Sequence, residues 1–283
     1  MHKTVSVGPI LFHNARPLVL IAGPCALESR DQALEVCGIL CDMAQRLSLP
    51  FIYKTSFDKA NRTSGSASRG VSMDTALDVF SELKQRYGCP ILTDVHEPYQ
   101  CDPVSKVVDV LQIPALLCRQ TDLITAAART GKPLHIKKGQ FLSPKEMHHV
   151  VRKALDAHAP VIICERGTCF GYNLLINDMR GLPILAETGC PIVFDATHSV
   201  QRPGALDGKS GGDRQYVETI ARAAVAIGVA GVFMETHPDP DRALSDGPNM
   251  VALSQMESLM TTLQKIDALT KSLPYQEFSA PTF

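Results

Sequence analysis

Residues Leu18–Ser29, LVLIAGPCALES, decide how the rest of the chain is interpreted. They begin with four branched apolar residues, and a run this dense is typical of a strand that is buried on both faces. Gly23 and Pro24 end the predicted strand, and a helical pattern begins near Ser29. Cys25 directly follows the strand, which places a polarisable thiol where it can face a ligand.

The same alternation of a short apolar run and a helical pattern continues along the chain. The runs predict strands at Leu18–Ala22, Phe51–Lys54, Ile91–Asp94, Val108–Leu111, Leu134–Lys137, Val161–Glu165, Ile192–Asp195 and Gly231–Glu235. The helical patterns lie near Arg30–Leu47, Asp74–Tyr87, Tyr99–Lys106, Leu123–Arg129, Pro144–Ala157, Asn177–Thr188, Asp213–Ile227 and Met250–Leu273. Strict alternation implies parallel strands joined by helical crossovers, and eight such units predict an α/β fold, the (β/α)8 TIM barrel. The alternative is a doubly wound open sheet, although the first strand is not followed by GxGxxG.

Composition limits the classes of function. The chain has 283 residues, 45% of them hydrophobic, and lacks a linker, so we expect residues 1–283 to form one domain with a short hairpin at 1–12. A net charge of -1 gives no basic surface for nucleic acid or a membrane, and no apolar run reaches the roughly 20 residues of a membrane span. The nine cysteines are scattered without a CxxC pair, which indicates a reducing, cytoplasmic location.

Ionisable residues follow nearly every predicted strand. They include Cys25, Lys54, Asp94, His96, Glu97, Arg119, Lys137, Lys138, Glu165, Arg166, Asp195, His198, Glu235 and His237. The carboxyl ends of barrel strands form the active-site face, so we expect these side chains to converge there. Only 20% of the residues are charged, and packing alone does not require this concentration.

The candidates divide into cations and metal-binding groups. The cations Lys54, Lys59, Arg62, Arg119, Lys137 and Arg166 indicate a multiply anionic ligand that carries phosphate and carboxylate. The hydroxyl-rich loop 56–69 suits a phosphate, although a solvated loop explains it equally well.

A thiol, an imidazole and two carboxylates, from Cys25, His198, Glu235 and Asp246, would suit Fe(II), Zn(II), Mn(II) or Co(II) better than Mg(II). By topology, His96 and His237 are equally well placed to bind a metal. A single cysteine or histidine at a strand end is often only a core residue. Spacing alone therefore leaves the ligand set open.

Nine segments resemble the 3-deoxy-D-manno-octulosonate 8-phosphate synthases. They are AGPCALES, FDKANRTS, TDVHEP, CRQTDL, IKKGQF, CERG, FDATHSVQ, SGGDR and ETHPDPDRALSDGPN, in this order within residues 5–265. The resemblance implies a TIM barrel, usually a homotetramer, that condenses phosphoenolpyruvate with arabinose 5-phosphate and water for lipopolysaccharide biosynthesis. The related heptulosonate synthases, which use erythrose 4-phosphate, typically read KPRTS where this chain reads KANRTS, and they are the alternative.

The same resemblance implies the metal site. Cys25 stands where the metal-independent branch of the family carries asparagine, so the chain resembles the metal-dependent branch. The implied ligands of one divalent transition metal are Cys25, His198, Glu235 and Asp246. The resemblance does not select His96 or His237, which topology alone had left as equally good candidates. The implied catalytic residues are Cys25, His198, Asp246 and Lys137.

The resemblance also implies the substrate contacts. It assigns Lys54, Lys59, Lys137 and Arg166 to phosphoenolpyruvate, Arg119 to the same anion pocket, Asn61, Arg62 and Thr63 to the pentose phosphate, and Asp94 and Gln140 to the same cleft. Some pentose-phosphate contacts are expected to come from a neighbouring subunit. The glycine-rich segment 197–212 is a candidate lid over the cleft.

Overall fold

A computed structural model describes residues 3–60, 69–206 and 209–273 of the chain. The strands are β1 Val5–Val7, β2 Ile10–Phe12, β3 Val19–Gly23, β4 Phe51–Lys54, β5 Ile91–Asp94, β6 Val110–Ile113, β7 Leu134–Lys137, β8 Val161–Glu165, β9 Thr168–Cys169, β10 Leu175–Ile176, β11 Ile192–Asp195, β12 Gln201–Leu206, β13 Lys209–Gly212, β14 Gly231–His237 and β15 Val251–Ala252. The α-helices are α1 Arg30–Arg46, α2 Met73–Tyr87, α3 Pro98–Ser105, α4 Thr121–Arg129, α5 Met147–Asp156, α6 Gly181–Ala186, α7 Val217–Ile227 and α8 Met256–Ser272. Among these helices, none combines the length and the apolar character needed to cross a bilayer.

Eight of the strands close into a parallel barrel. The strands β3 to β8 pair in sequence order, β8 pairs with β11, and β14 pairs with both β11 and β3. Helices follow the strands as crossovers, as parallel pairing requires. The predicted (β/α)8 TIM barrel is therefore confirmed, and the open sheet was the wrong alternative.

Five of the predicted strands have the bounds that the structure gives them, and the deviations have local causes. The fourth barrel strand begins at Val110, later than predicted, because the Asp109 side chain accepts the backbone N–H of Ile91 and pairs with Lys84 at a turn. The last helix begins at Met256 because Val251–Ala252 extends the sheet beside β14. Helix α6 begins later than predicted, at Gly181, because the Asp178 side chain accepts the backbone N–H of Arg180 in a turn before the helix.

Alternate residues of each barrel strand face opposite sides. The outward residues, such as Leu20 and Ala22 of β3, pack beneath the helices in the larger apolar core. The inward residues form a second core in the lumen, which includes Val19, Ile21, Ile52, Leu92, Val110, Ile162, Val193 and Phe233. The lumen is therefore filled by side chains and is not an open pore.

The predicted hairpin is present, and it covers the amino end of the barrel. The strands β1 and β2 pair antiparallel, and their buried residues Val5, Val7, Ile10 and Phe12 belong to the lumen core. The Phe12 ring also lies against Gly231, the first residue of β14, where a Cβ atom would come within 3.4 Å of it. This end of the lumen is thus closed by apolar contact.

Candidate active site

The inward-facing alternation places ionisable residues at the carboxyl end of the lumen. On β4, β5, β11 and β14, a charged residue lies two positions after an apolar lumen residue and therefore faces the same side. These residues are Lys54, Asp94, Asp195 and Glu235, and Lys137 occupies the corresponding end of β7. All five side chains are buried. The predicted convergence of ionisable groups at this end is observed.

The four residues that the resemblance implied as metal ligands lie side by side. The ligand atoms of Cys25, Glu235 and Asp246 lie within 4.8 Å of one another. The Cys25 thiol donates a hydrogen bond to Asp246 Oδ2 at 3.1 Å. His198 Nε2 lies 3.8 Å from Glu235 Oε2 and 3.9 Å from Asp246 Oδ2. One thiol, one imidazole and two carboxylates thus share one small volume, although 221 positions separate Cys25 from Asp246.

His198 is oriented by a neighbouring carboxylate. Its Nδ1 lies 2.8 Å from Asp195 Oδ2, and its backbone N–H donates to Asp195 Oδ1 at 2.9 Å. The Lys137 ammonium donates to the same carboxylate at 2.6 Å. This leaves His198 Nε2 facing Glu235 and Asp246, which is the arrangement that second-sphere carboxylates impose on metal-binding histidines.

Asp246 is held by its backbone and by an amide. It adopts the left-handed conformation with φ of 53°, which aspartate tolerates better than most residues and which is enriched at functional sites. Gly247 follows it, where a Cβ atom would collide with the Pro240 carbonyl oxygen. Gln201 Nε2 donates to Asp246 Oδ1 at 2.9 Å, so the other oxygen remains directed at Cys25.

The side chains of this cluster differ in their ionisation. Burial, and then the charge of Glu235, raise the pKa of the Cys25 thiol well above its ordinary value. Burial would also raise the pKa of Glu235, but Lys54 and His198 outweigh it and hold the pKa well below its ordinary range. Lys54 donates to Glu235 Oε1 at 2.6 Å. The site therefore pairs a neutral thiol with charged carboxylates, and a cation would displace the thiol proton.

The donor set fits a transition metal. Donors that lie about 2.0–2.3 Å from one tetrahedral ion are roughly 3.3–3.8 Å apart. The observed separations of 3.1, 3.8 and 3.9 Å need only small adjustments to meet this geometry. A sulfur and an imidazole favour borderline ions such as Fe(II), Zn(II) or Co(II) over Mg(II), which prefers oxygen.

A cavity of about 470 Å³ opens beside the cluster, and cations line it. They are Lys54, Lys59, Lys137 and Arg166. Arg166 Nη2 donates to Gln201 at 2.9 Å, while Nε and Nη1 are buried without a hydrogen-bond partner among the described residues. Burial lowers the pKa of Arg166, but the pKa of a guanidinium starts so high that it keeps its charge. Buried donors without a partner are costly, so this wall is suited to an anion.

Acceptors without a partner lie in the same cavity. Asp94 Oδ1 and Gln140 Oε1 are buried and make no hydrogen bond within the part of the chain that the structure describes. The other oxygen of Asp94 lies 3.1 Å from His96 Nε2. These acceptors suit the hydroxyl groups of a ligand.

Two predicted candidates are placed elsewhere. His237 lies away from the cluster, since its Nδ1 accepts from the Asp239 backbone and its Nε2 lies 2.6 Å from Gln32. Arg119 is exposed on the turn after β6 and is not among the residues that line the cavity. Of the pentose-phosphate candidates, Asn61, Arg62 and Thr63 lie outside the described residues.

Sequence reasoning overlooked two supporting residues. Gln201 bridges Arg166 and Asp246, and it belongs to the segment FDATHSVQ that carried the resemblance. The Phe233 ring lies 3.9 Å from Lys137 Nζ and 5.3 Å from Lys54 Nζ, which indicates cation–π attraction to both. The strand alternation could have identified Phe233, because it lies two positions before Glu235.

The segment 197–212 contains the antiparallel strands β12 and β13, which pair through Gln201↔Gly212 and Arg202↔Gly211. Gln201, Pro203 and Gly204 from its first part line the cavity. The position of this hairpin is compatible with the predicted lid, and its closure stays a prediction.

Comparisons with known proteins identify the family of the chain. A family model described as the DAHP synthetase I family matches residues 4–272. The 2-dehydro-3-deoxyphosphooctonate aldolase of Bartonella tribocorum is 57% identical over 270 residues, covering 95% of this chain and 97% of the relative. The proteins of the same name from Brucella ovis and Brucella abortus are each 56% identical over 273 residues, covering 96% of this chain and 99% of each relative. The chain therefore belongs to the DAHP synthetase I family.

Proposed function

We propose that this chain is a 3-deoxy-8-phosphooctulonate synthase. It condenses phosphoenolpyruvate with D-arabinose 5-phosphate and water to give 3-deoxy-D-manno-octulosonate 8-phosphate and inorganic phosphate, for lipopolysaccharide biosynthesis. The main observation behind this proposal is that a thiol–imidazole–carboxylate cluster adjoins a cavity lined by four cations. Relatives that are 56–57% identical over nearly the whole chain bear the name 2-dehydro-3-deoxyphosphooctonate aldolase, which supports this choice.

Phosphoenolpyruvate suits the cationic wall because it carries both a phosphate and a carboxylate. Lys54 and Lys137 already pair with Glu235 and Asp195, so part of their charge is neutralised. Arg166 offers two donors without partners, and a guanidinium can bind an anion through two parallel hydrogen bonds. Lys59 donates to the neutral Ser56 Oγ at 2.9 Å and also lines the cavity, so its charge can attract a substrate anion. The substrate hydroxyls meet Asp94 and Gln140 at the same cleft.

We also propose that Cys25, His198, Glu235 and Asp246 hold one divalent transition metal per subunit. When bound, such an ion supplies Lewis acidity that polarises an aldehyde or lowers the pKa of a water molecule towards about 7. The chain prepares the site through Asp195, which fixes His198, and through Gln201, which fixes Asp246. Our assignment of the ligand set is supported by the separations of the four side chains and by the softness of the donors.

The reaction forms one carbon–carbon bond and replaces the C2–O bond to phosphate with a C2–O bond to water. C3 of phosphoenolpyruvate attacks the aldehyde carbon of the open-chain pentose, and the aldehyde oxygen takes up a proton. Water adds to C2 and loses one proton, and the resulting C2 hydroxyl loses the other to the departing phosphate, which leaves with the bridging oxygen as the C2 ketone forms. The lysines and Arg166 hold the anionic groups during these steps, and His198 and Asp246 are placed to transfer protons.

The remaining features of the proposal concern the assembly and its location. We propose a homotetramer in the cytoplasm whose partners are its small-molecule substrates. Support for the assembly comes only from the resemblance in sequence. The candidate contact residues Asn61, Arg62 and Thr63 are assigned to the pentose phosphate on the same ground.

The decisive assay measures phosphate released from phosphoenolpyruvate with arabinose 5-phosphate or with erythrose 4-phosphate, before and after chelation. We expect release with the five-carbon sugar, loss on chelation, and recovery with a divalent transition metal. A preference for erythrose 4-phosphate would favour the heptulosonate synthase, which is the alternative function that the resemblance left open. Full activity after rigorous metal removal would contradict the metal site and leave the condensation intact.

A further inference from the structure

A second group of thiols lies in the layer between the helices and the barrel. Cys37 and Cys41 are one turn apart on α1, so they share one face of the helix. Cys89 lies on the turn between α2 and β5. Cys37 and Cys89 are buried, while Cys41 is partly exposed. None of these three residues lines the cavity of the candidate active site.

The three sulfur atoms are close enough to share one ion. Cys37 Sγ lies 3.5 Å from Cys89 Sγ and 4.0 Å from Cys41 Sγ, and all three lie within 4.8 Å of one another. Three sulfurs that are each about 2.3 Å from one ion are roughly 3.8–4.0 Å apart, depending on whether the geometry is tetrahedral or trigonal. Small side-chain movements would therefore complete the coordination.

A buried hydroxyl beside this group also lacks a partner. Tyr53 on β4 is fully buried, and its hydroxyl makes no hydrogen bond within residues 3–60, 69–206 and 209–273. Burial, and then the charges of Cys37 and Cys89, raise the pKa of Tyr53, which shows that the hydroxyl and the thiols share one environment. An unpaired polar group at this depth is unfavourable, so the region around the three thiols is not a purely apolar part of the core.

The thiol group is not completely enclosed by the protein. Cys41 provides the partly exposed side of the group, through which an ion can enter.

We propose that Cys37, Cys41 and Cys89 form a second metal site, which binds one thiophilic ion such as Cu(I) or Cd(II). Three thiolates without nitrogen or carboxylate ligands select soft ions, in contrast to the mixed donors around Cys25. Each thiol that is still protonated releases its proton when its sulfur bonds to the ion. The bound ion joins α1 to the turn before β5, and it stabilises the folded state because the unfolded chain does not hold the thiols together.

The test uses Cd(II) as the probe and the full-length Cys25→Ser protein, made metal-free with a thiol-free reductant. Removing the Cys25 sulfur means that thiolate-to-cadmium absorption reports on the other thiols. We expect the thiolate-to-cadmium absorption to saturate at one Cd(II) per subunit, X-ray absorption at that ratio to show three sulfur neighbours, and the melting temperature to rise with the ion. A mixed sulfur and oxygen shell would overturn the proposal.

Two variants in the same background locate the site. Cys41→Ser changes a partly exposed thiol and should abolish the absorption and the shift in melting temperature, and Cys89→Ala should do the same. The matched control is Cys169→Ser, which alters an exposed cysteine and should leave both signals unchanged.

Circular dichroism before metal addition confirms that each variant is folded. Retention of both signals in the folded Cys41→Ser protein would contradict the site. Since no readout depends on turnover, failure of the proposed condensation would not affect this result.

Discussion

The two ends of the barrel are built from the same strands and yet differ in kind. At the amino end, apolar lumen residues meet the hairpin through Val5, Val7, Ile10 and Phe12. At the carboxyl end, the same inward-facing rows finish in buried ion pairs such as Lys54–Glu235 and Lys137–Asp195, both at 2.6 Å. Strand alternation therefore determines which way a side chain faces. The residue type then determines whether an end of the barrel stabilises the fold or binds a ligand.

The energetic consequences of the two ends are opposite. Burial of apolar surface at the amino end is favourable without directional partners. A buried ion pair contributes little net stability, because desolvation offsets its attraction, although removing one partner is strongly destabilising. We therefore expect changes at the amino end to alter the free energy of unfolding and conservative changes at the carboxyl end to alter turnover.

The largest expected effect comes from a substitution at the carboxyl end that should alter turnover alone. Asp246→Asn keeps the shape of the side chain but removes a charged ligand, so we expect kcat to fall by about 10³-fold or more, which corresponds to several kcal/mol of lost Lewis-acid stabilisation. The melting temperature should change little. Kinetics and thermal unfolding of the same preparation check both statements. The matched control, Asp31→Asn, alters an aspartate of α1 that is 91% exposed and is not among the residues that line the cavity, and it should retain full activity. Turnover within a few-fold of the original protein would contradict our assignment of Asp246.

The complementary substitution is at the amino end and should alter stability alone. Phe12→Ala removes a fully buried ring, and we expect a loss of about 3–5 kcal/mol in the free energy of unfolding with kcat nearly unchanged below the transition. Denaturant unfolding measures the loss. Phe170→Ala is the control, because that ring is 69% exposed, and it should change stability by less than about 0.5 kcal/mol. A large loss of kcat in folded Phe12→Ala protein would show that the two ends are not separable.

A smaller effect tests the support of His198. Asp195→Asn weakens the partner that orients His198 Nδ1 and also removes the charge opposite Lys137, so we expect metal affinity or activity to fall by about 10–100-fold. Metal titration of the folded variant provides the check. An unchanged metal affinity together with unchanged activity would mean that Asp195 only neutralises Lys137.

The smallest effect concerns the middle of the lumen, where His135 is stacked on Phe233 with 5.8 Å between the ring centroids. Burial, and then Lys137, lower the pKa of His135 to about 3 from 6.5. Below pH 6.5 the unfolded chain binds a proton that the folded protein rejects, so stability falls as the pH falls. We expect this group to remove about 2 kcal/mol between pH 6.5 and 5.

His135→Gln is the matched variant for this effect, because it keeps a polar group opposite Gln112 without a titrating ring. Its free energy of unfolding should change less over the same pH range than that of the original protein. Parallel slopes for the two proteins would contradict the depressed pKa.

Much of the fold could be predicted because the strands are short, apolar and separated by regular helical patterns. The strand at Val110–Ile113 was placed too early because Val108 is apolar, and only the tertiary contacts of Asp109 show that this part is a turn. Likewise, α6 begins only at Gly181, after a turn in which Asp178 accepts the backbone N–H of Arg180, and helical periodicity does not reveal that turn.

The site was less accessible to sequence reasoning. The strand ends predicted that Lys54, Lys137 and Glu235 converge, but spacing cannot bring Cys25 to Asp246 or separate His198 from His237, because those contacts join distant parts of the chain. The resemblance to a family supplied that selection, and the structure places the four side chains together. Arg119 illustrates the limit, since its position after a strand did not bring it into the cavity.

The most direct test of the account is the phosphate release of metal-free protein as Mn(II) is added, with phosphoenolpyruvate and arabinose 5-phosphate present. Mn(II) is too hard an ion for the three-thiol site, so the titration reports on the cluster around Cys25. We predict no release before addition and a linear rise that ends at one equivalent per subunit. Full release before any metal is added would contradict the account.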